Sequence, residues 1–576
     1  MTAQHSGDEC ESEYEVVIVG AGVAGALCAW KLAELGHGSI LLLDAGDNGI
    51  THGQRILFHH TMDVQGHRGN PFAPYEGLES RLWAPEPVKS QSGFDEEYYD
   101  YSEEAKKKDP FKAGYNRMVG GSTWSWRGNT PRMVPNDFAL KTVYGQGRDW
   151  PIGYAELEPW YCQAEWELGV SGNHDELDGL HGAYRSRPFP TTGIPPSYSD
   201  ERIKARLINA AVRGTPVRVV TTPQARNSAP YDGRPACEGH SNCIPLCPIQ
   251  AKYDATVHLR RALALGVTLK TAAVVTRIEK GTAGRVSAIV YRDWRSSDPS
   301  RERKIGARHV VLAAHAIETP KLLLMSGLAN SSDMVGRNLN DHAQFEVIAL
   351  FPEPVYPFRG PQSITSIEDF RDGAFRREHS AFRMTIGNDG WGRSGSPATV
   401  IDQLLAAGHY GKPLPKLIAD KIPRMVRISF STESLPDPAN RVALSSKRDK
   451  LGVPRPSLTH DIGDYTRAGL RVGFQTAMEL FKIMGAEIPT QPKELEPPGK
   501  RMNWNTAAHI MSTTIMGVNP ADSVVDPWGR THDHENLWIV GSSVFPTGAT
   551  ANPTLTLAAL TLRTTQALHR ELALQG

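Results

Sequence analysis

The sequence predicts an α/β (α+β) protein, and three observations carry that expectation. A short β-branched run, Val16 to Val19, reads as a strand buried on both faces. A glycine triad and an apolar segment of helix length follow it, and then a second strand that ends in an acid. At 576 residues the chain is too long for one compact core and long enough for two or three packed units.

The N-terminal elements come first. Residues 14 to 46 read YEVVIVGAGVAGALCAWKLAELGHGSILLLDAG. Gly20, Gly22 and Gly25 form G-x-G-x-x-G directly after the strand. The first glycine permits a tight turn, the second lets backbone approach a pyrophosphate, and the third lets helix and strand pack closely. A helix over Ala24 to Leu35 would turn its N-terminal amides toward the phosphates. The strand Ser39 to Leu43 ends in Asp44, about 20 residues beyond the glycines, where a ribose-binding carboxylate belongs. This context predicts a Rossmann-like dinucleotide-binding unit, and it does not separate FAD from NAD.

Bulk properties narrow the function classes. Apolar residues make up 40% and charged residues 22%, with zero formal net charge. That balance gives no reason to expect a nucleic-acid partner or an anionic membrane surface. No run approaches the roughly 20 apolar residues of a spanning helix. The polar, acidic start MTAQHSGDECESEYE lacks the pattern of an export signal, so a cytoplasmic location is expected. Cys10, Cys28 and Cys162 are scattered and read as reduced thiols.

Four further stretches carry a family resemblance. Residues 117 to 131 read RMVGGSTWSWRGNTP, 311 to 323 read VLAAHAIETPKLL, and 336 to 342 read GRNLNDH. Residues 536 to 565 read NLWIVGSSVFPTGATANPTLTLAALTLRTT. With the N-terminal fingerprint, these resemble the glucose-methanol-choline (GMC) oxidoreductases in order and spacing, over nearly the whole chain. Within the family, the STWSW region looks most like pyranose oxidases and bacterial glycoside 3-oxidases. The resemblance implies FAD, bound by a non-contiguous Rossmann-like domain at 13–75, 113–135, 205–345 and 525–576. It also implies a substrate-binding domain at 346–524 built on a large, mostly antiparallel sheet. An insertion or lid at 76–112 and a helical or extended segment at 136–204 complete the expected layout. Within the insertion, Gly93 to Pro110 is charged and tyrosine-rich and reads as a mobile surface segment.

The same resemblance implies cofactor contacts from Gly120, Gly121, Ser125, Trp126, Arg127, Val275, Ala314, Gly541, Ser542, Pro553 and Thr554. Leu537 to Val540 is a strand candidate, and Pro553 suits the first turn of a helix. That helix N-terminus would face the pyrimidine side of the isoalloxazine. Ser125 stands where fungal pyranose oxidases carry a flavin-linked histidine. Serine cannot form that linkage, so the FAD is expected to be non-covalent. Arg127 stands where those enzymes have a threonine near flavin N5.

Oxidising an alcohol with a flavin requires a base for the hydroxyl proton and a hydride acceptor. Histidine suits the base because it titrates near neutrality. His509, in NTAAHIMSTTIMG, and Asn552, in ANPT, match the family's catalytic pair. Asn552 is neutral and would orient the hydroxyl by hydrogen bonds. Gln344, Gln362, Glu433 and Arg441 are further candidates to hold sugar hydroxyls.

Cys237, Cys243 and Cys247 form C-x5-C-x3-C in CEGHSNCIPLC. Three readings stay open: unligated thiols, an iron–sulfur cluster like those of some related dehydrogenases, or zinc with His240 as a fourth ligand. No metal is assigned. The leading expectation is an oxidase that converts a C2 or C3 hydroxyl of a pyranose or glycoside to a ketone and reduces dioxygen to hydrogen peroxide. The alternatives are a sugar dehydrogenase that hands electrons to a quinone or partner protein, and a non-catalytic flavin-binding protein on the same fold.

Overall fold

The computed structural model describes residues 10–47, 98–101, 111, 113–240, 243–244, 246–388, 397–488, 494–497 and 501–575. Two sheets organise them. The first has seven strands. At its centre the strand Glu13–Val19 pairs in parallel with Ile40–Leu43 on one side and Glu302–Leu312 on the other. Thr268–Lys270 extends the parallel part beyond Ile40–Leu43, and Leu537–Ile539 joins Glu302–Leu312. The antiparallel strands Val286–Asp293 and Ala273–Lys280 complete it. Val16, Val17 and Ile18 have no exposed surface, which is why this strand reads as an unbroken apolar run.

The glycine triad works as its spacing predicts. Gly20 has φ +105°, and a Cβ there would lie 2.5 Å from the Ala313 carbonyl oxygen. A Cβ on Gly25 would lie 1.8 Å from the Gly20 oxygen, whereas one on Gly22 would meet nothing within 4 Å. The helix Val23–Glu34 begins there and packs against the helices Thr256–Ala264 and Pro553–Gln575. The N- and C-terminal thirds of the chain are thereby joined in one layer.

The second sheet has six strands, and every pairing in it is antiparallel. Its central strands are Ala343–Leu350, Met425–Thr432 and Phe382–Gly387. Side chains alternate across a strand, so each strand offers one set to the core and one to the opposite face. Phe345, Val347, Ile428, Phe430, Phe382 and Met384 form the apolar face. The helix Gly463–Met484 covers that face with Leu470, Ala477, Leu480, Phe481 and Met484, at helical spacing. It comes close because Gly473 sits over the Phe430 ring, where a Cβ would be only 2.6 Å away.

Two expectations need correcting. The described part of the supposed mobile segment, residues 98–101, is not a surface segment. Tyr98, Tyr99 and Tyr101 are 0%, 3% and 6% exposed, and Asp100–Tyr101 pairs in parallel with the strand Pro454–Thr459. Their phenolic bodies fill a core while Tyr99 and Tyr101 donate hydrogen bonds to the Ala113 and Phe111 carbonyls. The flanking charges disguised a buried aromatic set. The rest of 76–112, apart from Phe111, lies outside the described residues. Second, the boundary between 345 and 346 falls inside the strand Ala343–Leu350. The edge strand Val219–Thr221, placed by sequence in the cofactor domain, pairs with Thr365–Ile367 in the antiparallel sheet. Among the described residues no helix is long and apolar enough to cross a membrane.

The glycines give a paired test. Gly25→Ala must displace backbone, so it should lower the thermal midpoint of the cofactor-free protein, at a cost of about 3 kcal/mol or more. Gly22→Ala should leave that midpoint unchanged and weaken only cofactor binding. Equal midpoints for the two variants would contradict these separate roles.

Candidate active site

A cavity of about 440 Å³ runs from the glycine turn to the antiparallel sheet. Its size is in the range of small-molecule sites. Of the residues expected to contact cofactor, Gly20, Gly22, Asp44, Gly121, Ser125, Trp126, Arg127, Val275, Ala314, Gly541, Ser542, Pro553 and Thr554 line it. Gly25 and Gly120 do not. Gly25 packs beneath the turn, and Gly120, at φ +88°, lets the backbone pass the Trp124 indole.

The residues present fit a dinucleotide. The open space at Gly22 lies at the N-terminus of the helix Val23–Glu34. Asp44 accepts from the Ala21 and Gly46 amides, both at 2.7 Å, and each carboxylate oxygen keeps a lone pair for a ribose hydroxyl. Burial pushes its carboxyl up to about 6, against the pull of those amides and Arg117. Asn129 also lines the cavity, and its buried Oδ1 has no hydrogen-bond partner among the described residues. A buried group of this kind invites a ligand donor. A second cluster borders the cavity and went unread in the sequence: Arg117, Tyr115, His315, Glu318 and Lys321. Burial would raise the Glu318 carboxyl, but Lys321 and Arg117 overcome it and hold it far below the carboxylate range.

The polar face of the antiparallel sheet forms the opposite wall. Its registers set out cross-strand rows: Gln344, Ser431 and Arg383 in one, Glu346, Ser429 and Thr385 in the next. Gln344, Ser429, Ser431, Arg383 and Thr385 line the cavity. Arg383 is held by Glu368 at 2.6 Å. The alternation Phe382, Arg383, Met384, Thr385 was a signal that could have found Arg383 and Thr385. The other candidate sugar ligands lie elsewhere. Glu433 is fully buried and paired with Arg376 at 2.7 Å, and Arg441 is exposed on the strand Arg441–Arg448. Gln362 is buried beside the cysteines, where its carbonyl accepts from Arg226 at 2.7 Å.

His509 and Asn552 meet on the cavity wall, with Asn552 Nδ2 3.0 Å from His509 Nε2. Several backbone ties hold the histidine loop. The His509 amide donates to Asp341 at 2.8 Å, Ala507 to the His342 carbonyl at 3.1 Å, and Met511 to Asn340 at 3.0 Å. Ala508, at φ +57°, makes the turn that presents His509. Burial, the neighbouring His342, Arg383 and Arg127 push the His509 imidazole well below its usual value.

The three clustered cysteines border one small cavity of about 20 Å³, with Arg226 and Lys252. Arg226 donates to Cys243 Sγ at 3.2 Å, and burial pushes the Cys237 thiol up. Lys252 donates to the carbonyls of Trp124, Trp126 and Cys243, tying this loop to the turn that bears Ser125. The space admits about one water, and no three side chains among the described residues are set to hold a metal ion. His240 is exposed, with Nε2 3.5 Å from Glu238.

Comparison with known proteins agrees with this geometry. The GMC oxidoreductase models match residues 151–344 and 436–561, and an NAD(P)-binding Rossmann-like domain model matches 18–50. The large subunit of fructose dehydrogenase from Gluconobacter japonicus is 38% identical over 574 residues, covering 97% of this chain and 98% of that one. The 2-methyl-1,2-propanediol dehydrogenase of Mycolicibacterium austroafricanum is 27% identical, covering 95% and 94%. The crystal structure of pyridoxine 4-oxidase from Mesorbium loti superposes with a TM-score of 0.60 at 18% identity, over 98% of this chain and 99% of that one, and shares the fold. The chain belongs to the GMC oxidoreductase family, and FAD is its cofactor.

The depressed imidazole has a measurable consequence. The base form of His509 is the neutral one, present above its folded-state value and lost only as pH falls through it. The rate constant for flavin reduction by substrate should stay level from about pH 8 to about pH 6, across the ordinary histidine range. Stopped-flow reduction over that range checks this, and an inflection near about 6.5 would count against it.

Proposed function

We propose that this protein is an FAD-dependent sugar dehydrogenase that oxidises a secondary hydroxyl of a sugar or glycoside to a ketone. A quinone or a partner protein takes the electrons. The observation that carries the reading is the His509–Asn552 pair facing two rows of polar side chains, with Arg383 beside it. Such a wall suits a polyhydroxylated substrate better than a simple alkyl alcohol, because each row offers donors and acceptors to several hydroxyls. The 38% identical relative named for fructose supports a sugar and supports the dehydrogenase over the oxidase.

The chain's own residues divide the work. Asn552 Nδ2 donates to His509 Nε2. A substrate hydroxyl entering between them would accept from Asn552 and donate to His509. As the carbon becomes a carbonyl, the hydroxyl proton goes to Nε2. Bound FAD supplies the acceptor for the hydride that leaves the same carbon. Arg383 and Arg127 lower the His509 pKa, so their field opposes a lasting imidazolium and favours negative charge developing on the substrate oxygen. A C2 or C3 hydroxyl of a pyranose remains the preferred position.

The oxidase reading is retained because the STWSW segment resembles pyranose oxidases and glycoside 3-oxidases. Purified protein mixed without oxygen with fructose, glucose or methyl glucoside separates the two. Flavin absorbance should bleach with at least one sugar, recover promptly with a quinone and recover slowly in air. Prompt recovery in air with accumulating peroxide would replace the dehydrogenase with the oxidase, and no bleaching by any sugar would remove the substrate class. His509→Ala should keep FAD and reduce it at least about a hundredfold more slowly.

Ser125 accepts from Asn116 Nδ2 at 3.0 Å and offers no side chain for a flavin bond. Acid precipitation should therefore release all yellow colour to the supernatant. Colour retained by the pellet would refute non-covalent binding.

A further inference from the structure

His342 lies directly behind His509 and belongs to the stretch GRNLNDH, whose sequence gave it no role. It is fully buried. Its Nδ1 is 2.8 Å from His509 Nδ1, its Nε2 is 3.1 Å from the Gly548 carbonyl oxygen, and the two rings meet edge to face at 4.9 Å. Gly548 is part of the arrangement, since a Cβ there would lie 2.6 Å from Met511 Sδ and 3.3 Å from His342 Nε2.

These contacts leave one consistent placement of hydrogens. A carbonyl oxygen only accepts, so His342 Nε2 carries its hydrogen. Burial pushes the His342 imidazole down to about 4, so it is neutral at ordinary pH and its Nδ1 is bare. His509 must then donate from Nδ1. A neutral His509 has no second hydrogen, so Nε2 holds a lone pair. The far side agrees independently: Arg383 lies 3.5 Å from Asn552 Oδ1, which turns the amide's donor, Nδ2, toward that lone pair.

We infer that His342 is the positioning residue that fixes the tautomer of His509, so that the lone pair of Nε2 faces the substrate hydroxyl. The inference rests on His509 being the base. Which imidazole nitrogen carries the hydrogen is set by the bond the other makes. Without an acceptor at Nδ1, the hydrogen is free to reside on Nε2, which presents a donor where an acceptor is needed. His342 is not a proton relay, because its chain of bonds ends on a backbone carbonyl that cannot be protonated at these pH values.

The test compares His342→Leu with His342→Asn in the FAD-loaded protein. Asparagine can place Oδ1 near the position of Nδ1 and still accept from His509. Leucine fills similar space and accepts nothing. Each variant is reduced anaerobically by the fastest sugar of the fructose, glucose and methyl glucoside panel, beside wild type and His509→Ala. The limiting rate constant of His342→Leu should fall about a hundredfold, with sugar half-saturation unchanged. His342→Asn should reduce at least tenfold faster than His342→Leu. Variants that slow alike, or do not slow, overturn the tautomer role. If the leucine variant does not load FAD, His342→Ala takes its place in the same comparison. A normal rate in His509→Ala would instead overturn the base, whatever the His342 variants do.

Discussion

Two imidazoles in contact, one fully buried and the other on the cavity wall, leave very little freedom to either. A buried neutral histidine has one hydrogen and one lone pair, and each needs a partner. Fixing the hydrogen of His342 on the Gly548 carbonyl fixes the next nitrogen, then the next, until a lone pair faces the cavity. The strength of any one bond matters less than the sequence in which they force one another. The surrounding architecture serves this arrangement. Asp341 and Asn340 hold the loop that carries His509, and Ser542 donates to the Ile510 carbonyl from the other side at 2.7 Å. Segments far apart in the chain must therefore meet before the site exists.

The two sheets make that meeting possible by dividing the tasks. The mixed sheet brings the glycine turn, the strand Glu302–Leu312 and the C-terminal strand Leu537–Ile539 side by side. The antiparallel sheet stands opposite, apolar toward the helix Gly463–Met484 and polar toward the cavity. Lys252 adds a tie that neither sheet supplies. It is a buried ammonium whose three donors go to three backbone carbonyls. Burial draws its pKa down to about 8, which indicates how little solvent it meets. Lys252 thus ties the Cys243 carbonyl to the turn that bears Ser125.

Local signals were legible in the sequence and cross-chain ones were not. The glycine triad, Asp44 and the proline-headed helix Pro553–Gln575 could be read because each signal lies within one continuous stretch of chain. Asn552 and His509 required the family resemblance, being 43 residues apart. His342 sat in a recognised stretch, but its partner lies 167 positions on, and nothing in GRNLNDH announces a second histidine behind the first. Glu433 and Gln362 were misread because a polar residue near the substrate strands looks the same in sequence whether it faces a cavity or a buried arginine. Tyr98, Tyr99 and Tyr101 were misread because their charged neighbours outweighed them in any local average.

The alternation along the antiparallel strands also bears on how such an enzyme can change. Positions 344, 385, 429 and 431 touch the cavity, while 345, 382, 384, 428 and 430 hold the core. Selection for a new substrate can act on the first set with little penalty to folding, because the two sets share a backbone and no packing surface. The histidine pair and the glycine turn stand apart from both. One scaffold can thus diversify its substrates while its proton-handling apparatus is inherited unaltered.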